Sequence, residues 1–131
     1  MEDERRCFAG CFSDCNRGVN VETVFSKIIS GKLPCKKAFE NERILAIWDV
    51  APVAPVHILI MPKKAIEDLQ SLQKQDLSLI AEIVEVAQAL AKEQGIEEGY
   101  RLLTNSGPDA GQTVFHLHFH LIGGRRLLDL G

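Results

Sequence analysis

The sequence predicts an α+β fold: an antiparallel sheet of about five strands carrying two helices. Three observations predict it. Short β-branched and aromatic runs follow one another across short turns, one long stretch has helical periodicity, and a late run alternates apolar residues with histidines. The chain has 131 residues, 46% apolar and 25% charged, with a formal charge of −3. That is enough for one domain with its own core. The negative balance argues against polymeric nucleic acid as a partner, though not against a single nucleotide.

The amino terminus, Met1-Glu2-Asp3-Glu4-Arg5-Arg6, is charged and lacks a signal peptide's apolar run, and no stretch is long enough to span a bilayer. A cytoplasmic protein without a membrane partner is expected. Cys7, Cys11, Cys15 and Cys35 are then thiols. The first three recur at four-residue steps, which is not the usual zinc-pair spacing. Residues 1–21 read as a flexible, non-catalytic extension and residues 22–131 as the folded domain.

Residues 23–30 place apolar side chains at helical spacing, with Thr23 as cap and Gly31 and Pro34 as stop signals. Lys36–Phe39 and Ile44–Trp48 read as a hairpin turning at Glu40-Asn41-Glu42-Arg43, and Val56–Met61 as a third strand ending at Pro62. Residues 76–94 put Leu79, Ile80, Ile83, Val84, Ala87, Leu90 and Ala91 on one stripe, capped by Asp76 and terminated by Gly95. Arg101–Thr104 and Thr113–Ile122 supply the last two strands. Both helices are expected on one side of the sheet.

Within Thr113–Ile122, His116, His118 and His120 fall at every second position, so a continuous strand turns all three imidazoles to one face, successive Cα atoms roughly 6.5–7 Å apart. Phe115, Leu117, Phe119 and Leu121 form the apolar face behind. Three readings compete. Neutral imidazoles can ligate zinc, with His57 as a fourth ligand. Alternatively one imidazole attacks phosphorus while protonated neighbours offset charge on the phosphate oxygens. The row can also be purely structural. The loop Asn105-Ser-Gly-Pro-Asp-Ala-Gly111-Gln112-Thr113 has the glycines to present backbone N–H groups to an anion. Asp49, before a Pro-rich corner, can accept hydrogen bonds from a ribose diol or simply form a turn.

The run His116-Leu-His118-Phe-His120-Leu-Ile fits the histidine-triad signature, and the chain resembles the Hint branch of that superfamily. The likeness runs from about Val24 to Arg125, through Phe-Ser-Lys-Ile-Ile, Leu-Ala-Ile-Trp-Asp-Val, Ala-Pro-Val-His-Ile-Leu-Ile-Met-Pro-Lys-Lys, Gly-Tyr-Arg-Leu-Leu-Thr-Asn and Gly-Gln-Thr-Val-Phe-His. It implies a homodimer whose protomers join their sheets. It also implies a hydrolase that cleaves purine nucleoside phosphoramidates without a metal or cofactor, binding purine nucleoside monophosphates. By that likeness His118 is the nucleophile forming a nucleotidyl-histidine, and the His116 carbonyl orients its ring. His120, Asn105 and the Gly111-Gln112-Thr113 loop end hold phosphate oxygens. Thr113 stands where relatives often have a serine that assists the leaving group, and His57 is the supporting fourth histidine. Asp49 binds the ribose, while Phe25, Ile28, Leu33, Ile47 and Val50 line the base pocket.

Some positions depart from the family pattern. Trp48 replaces a smaller polar residue before the ribose aspartate, and the chain stops at Leu127-Leu-Asp-Leu-Gly131 without the Trp-Pro-Pro-Gly ending of animal relatives. Zinc-bearing relatives have a Cys-x-x-Cys pair where this chain has Thr23 and Ser26. The resemblance leaves two alternatives: a dinucleoside polyphosphate hydrolase of the Fhit branch, which shares Gln-Thr-Val but usually has proline at the position of Phe115, or a slow nucleotide-binding scaffold protein.

Overall fold

A computed structural model describes residues 22–130; Cys7, Cys11 and Cys15, and the extension they belong to, lie outside the described residues. Helix α1 (Val24–Ile29) opens on a capping box in which Ser26 N–H donates to Thr23 Oγ1 and Thr23 N–H donates to Ser26 Oγ. Strands β1 (Lys37–Glu40), β2 (Ile44–Trp48) and β3 (Val56–Pro62) follow, then helix α2 (Leu77–Glu93), β4 (Tyr100–Leu103) and β5 (Phe119–Gly123). All neighbouring strands are antiparallel, in the order β1-β2-β3-β5-β4. The fold class and the five-strand, two-helix composition are as the sequence predicts.

The placement of the helices is not. Strands β2 and β3 are buried along nearly their whole length, so alternate residues need cover on opposite faces. Ile44, Ala46, Ile58, Ile60 and Leu121 pack with Ile83, Val86, Ala87, Leu90 and Ala91 of α2. Leu45, Ile47, Leu59 and Met61 instead pack with Phe25, and with Val24 and Ile28, of α1. The sheet is sandwiched between the helices, and the apolar runs at 44–48 and 56–61 required that. On α2 the buried stripe includes Val86, whereas Val84 is exposed. Asp76 turns its carboxylate to Gln73 N–H and Lys64 Nζ rather than capping α2. Ile83 is fully buried, and Ile83→Val is expected to cost about 1 kcal/mol in urea unfolding.

The last strand is shorter than the expected Thr113–Ile122. Its ladder with β3 ends at Ile60↔Phe119, and its ladder with β4 at Leu103↔His120. Pro62 has no N–H to continue the pairing. Leu117 N–H goes instead to Ile66 O, and the Thr104 hydroxyl takes the His118 carbonyl. Residues 113–118 therefore follow an irregular path, and only His120 of the three histidines lies on the strand.

Candidate active site

The irregular path nevertheless gathers the imidazoles, through specific hydrogen bonds rather than a regular pleat. His57 on β3 and His120 on β5 share the sheet face that carries α1, because Ile58 and Leu121 beside them face α2. Their rings lie 5.3 Å apart, and the His118 ring lies 5.2 Å from that of His120. Phe25 of α1 meets His118 edge-on at 4.8 Å and His116 at 6.4 Å. All four histidines are buried.

Their hydrogen bonds fix where each ring carries its proton. His116 Nε2 donates to Pro62 O at 2.7 Å, and His118 Nδ1 donates to His116 O at 2.8 Å. Neutral His118 therefore has its lone pair on Nε2. Val53 N–H donates to His57 Nδ1 at 3.2 Å, which places the His57 proton on Nε2, 3.0 Å from His120 Nδ1. His120 accepts there and carries its own proton on Nε2, which is buried with no hydrogen-bond partner. Thr113 Oγ1 is the other buried orphan. A donor nitrogen and a hydroxyl, both desolvated and unsatisfied, are poised for a polar ligand.

Burial sets the charge state. Desolvation holds His116 below its ordinary pKa of 6.5, and desolvation with the neighbouring His118 and His57 pushes His120 down to about 2. Burial thus runs against the expected protonated neighbours: it favours the neutral form of both rings, because a cation would be stranded away from water.

Asp49, just beyond β2, accepts from Ala51 N–H at 2.8 Å and brings its other oxygen to 3.4 Å from His57 Nε2. Asp49, His57 and His120 place potential ligand atoms within 4.8 Å of one another, a different set from the row read as zinc ligands. The donor chemistry does not suit a metal there. His57 Nδ1 is occupied by the Val53 N–H, so the Nε2 that would bind an ion holds the ring's proton.

A cavity of about 200 Å³ opens beside Asp49, lined by Ile28, Ile47, Val50 and Asp49 together with Pro34, Cys35, Lys36 and Trp48. Two expected lining residues are elsewhere. Phe25 is drawn under the histidine rings by the buried face of α1, and Leu33, two residues after the left-handed turn at Gly31, is 38% exposed and does not line the cavity. The Trp48 ring lies toward the α2 core with Lys36 Nζ 5.4 Å from its centre.

Asn105 is half-buried two residues past β4. Gly111 adopts φ +94°, a turn open to glycine. The Gln112 side chain accepts from Gly107 N–H and donates to Glu67 O and Val114 O. It braces the loop from behind, and Thr113 presents the side chain left unsatisfied.

The HIT domain family matches residues 30–127. The chain belongs to that family. A HIT-like protein of Chlamydia muridarum is 50% identical over 107 residues, covering 82% of this chain and 85% of the relative. The structure of a HIT family hydrolase from Legionella pneumophila superposes with a TM-score of 0.80 at 42% identity, covering 82% of this chain and 96% of that one. A histidine triad nucleotide-binding protein from Candida albicans gives 0.70 at 30%, covering 84% and 86%.

Within this HIT domain, sequence reading missed the groups that act through backbone: Pro62 O, Val53 N–H, and Thr104, whose hydroxyl donates to His118 O at 2.6 Å. Thr104 follows a strand among ordinary polar residues, and only the knowledge that β5 starts at Phe119 reveals that the His118 carbonyl needs a donor. Among the described residues no helix is long and apolar enough to cross a membrane.

Proposed function

We propose that the chain is a Hint-type hydrolase that cleaves the P–N bond of purine nucleoside phosphoramidates through a nucleotidyl-His118 intermediate. One observation carries the reading: His118, its lone pair on Nε2, packs 5.2 Å ring to ring from His120, whose Nε2–H is buried without a partner. Thr113 Oγ1 is the other such group, and the apolar cavity meets the histidines through Asp49, 3.4 Å from His57. A neutral nitrogen nucleophile meets little repulsion from an anionic phosphate. As His118 Nε2 bonds to phosphorus the P–N bond breaks, and the departing nitrogen takes the Thr113 hydroxyl proton. Positive charge on the His118 ring is stabilised by the His116 carbonyl at Nδ1. Water then attacks phosphorus and breaks the P–Nε2 bond, giving up a proton that restores the Thr113 hydroxyl and releasing the nucleotide and the neutral ring. His120, Asn105 and the Gly111–Thr113 loop end hold the phosphate oxygens.

Asp49, Ile28, Ile47 and Val50 bind the nucleoside. The cavity lies below the roughly 300 Å³ of drug-sized pockets, which suits one base with its sugar and phosphate outside. Asp49→Ala is expected to raise KM for a ribonucleoside phosphoramidate about tenfold and to remove its advantage over the 2′-deoxy substrate, measured by steady-state kinetics. Among the described residues β4 is an edge strand, which supports a homodimer joined sheet to sheet; light scattering should return twice the chain mass.

Comparing hydrolysis of adenosine phosphoramidate with that of diadenosine polyphosphates tests the reaction class. Preference for the phosphoramidate is expected. Preference for the polyphosphates would move the chain to the Fhit-like reading, and tight nucleotide binding without turnover of either would leave a binding protein.

A further inference from the structure

The corner after β5 reaches over the loop that carries Asp49 and the donor to His57. Gly124 adopts φ +97° and lies so close to Pro55 that an added Cβ would sit 2.9 Å from the proline Cβ. The next residue, Arg125, spreads its guanidinium between two carbonyls: Nη1 donates to its neighbour Arg126 O and Nη2 to Val53 O, each at 2.9 Å. The N–H of that same Val53 donates to His57 Nδ1, and His57 Nε2 meets His120 Nδ1. An exposed arginine is thus connected, through one residue of backbone, to the proton arrangement of the buried pair.

We propose that Arg125 is a positioning residue: by holding the Val53 carbonyl it aims the Val53 N–H at His57, locks the proton on His57 Nε2, and so keeps His120 Nε2–H directed at the ligand. The role of His120 toward phosphate rests on the function proposed above; the control of its tautomer does not. Two features make the lock depend on Arg125. Within loop 50–55, Ala51 N–H is held by Asp49 and Ala54 is buried, but Val53 between them is 42% exposed and its carbonyl is held by Arg125. The planar guanidinium also takes the two carbonyls from two separate nitrogens in a fixed fork, whereas an ammonium offers its donors from one point on a flexible stem. A surface hydrogen bond of this kind contributes little to global stability, so its loss should be read at the histidines rather than in unfolding.

The test uses the full chain as Arg125→Ala, Arg125→Lys and Gly124→Ala, with ring-nitrogen NMR of the histidines, thermal unfolding and phosphoramidate kinetics on each. In the wild type His57 should show one tautomer, protonated at Nε2. Arg125→Ala is expected to unfold at an unchanged temperature, to give His57 signals of mixed tautomers, and to lower kcat about tenfold with KM within about twofold. Lysine should recover part of both effects, and Gly124→Ala, which pushes the same loop through Pro55, should reproduce the NMR change. Wild-type His57 signals in Arg125→Ala overturn the proposal, whether or not kcat falls. A tautomer change in a protein that hydrolyses no phosphoramidate supports the positioning role while removing the proposed reaction.

Discussion

His118→Ala is expected to lower phosphoramidate turnover by about 10⁴-fold or more while leaving the Kd for adenosine monophosphate within about threefold. In the proposed reaction the ring forms the bond to phosphorus, whereas the nucleoside contacts are assigned to Asp49 and the cavity beside it. Neither neighbour can take over. His116 Nε2 is tied to Pro62 O, and His120 presents a protonated nitrogen with no lone pair toward the ligand. Because the His118 ring packs against Phe25, the variant leaves a small void, and its melting temperature should be recorded alongside. Trapping of a nucleotidyl adduct in wild type, located by mass spectrometry of its peptides, should mark His118. An alanine variant with wild-type turnover, or an adduct elsewhere, removes His118 from the nucleophile's role.

The sequence carried the elements whose signals are local. Nearly continuous apolar runs at 44–48 and 56–61 marked β2 and β3 to within a residue, and the Thr23 cap with Gly31 bounded α1. Histidines at every second position marked the site, although that spacing accounts for only part of its geometry. A pleat alone would align the rings, but β5 covers only His120. The rings meet because Pro62 ends one ladder, Thr104 replaces the other, and two carbonyls capture His116 and His118. Such captures depend on backbone groups distant in sequence, so no residue type or spacing announces them. The same holds for charge: an imidazole in a sequence has an ordinary pKa, and its neutral state here follows from burial that only the fold provides.

That burial makes stability fall with acid in a particular window. A histidine whose folded pKa is depressed binds fewer protons folded than unfolded, so its contribution is complete above 6.5 and is lost as pH drops toward the folded value. For His120 that value is about 2, and at pH 4.5 the chain stands two units into the window. At about 1.4 kcal/mol per unit this one ring costs about 3 kcal/mol there, and His116 adds a loss in the same direction. Carboxylates enter as pH falls through about 4.5: Lys37 and Lys63 hold Glu40 down to about 2, and Arg43 holds Glu82 below its ordinary value. Urea unfolding at pH 7.5 and 4.5 therefore isolates His120 only by comparison, and His120→Gln, which keeps a donor but cannot titrate, should lose about 3 kcal/mol less than wild type between the two. Equal losses in the two proteins would mean that His120 charges readily in the folded state. A cationic ring would then face the phosphate, and the neutral-donor chemistry assigned to it would have to be given up.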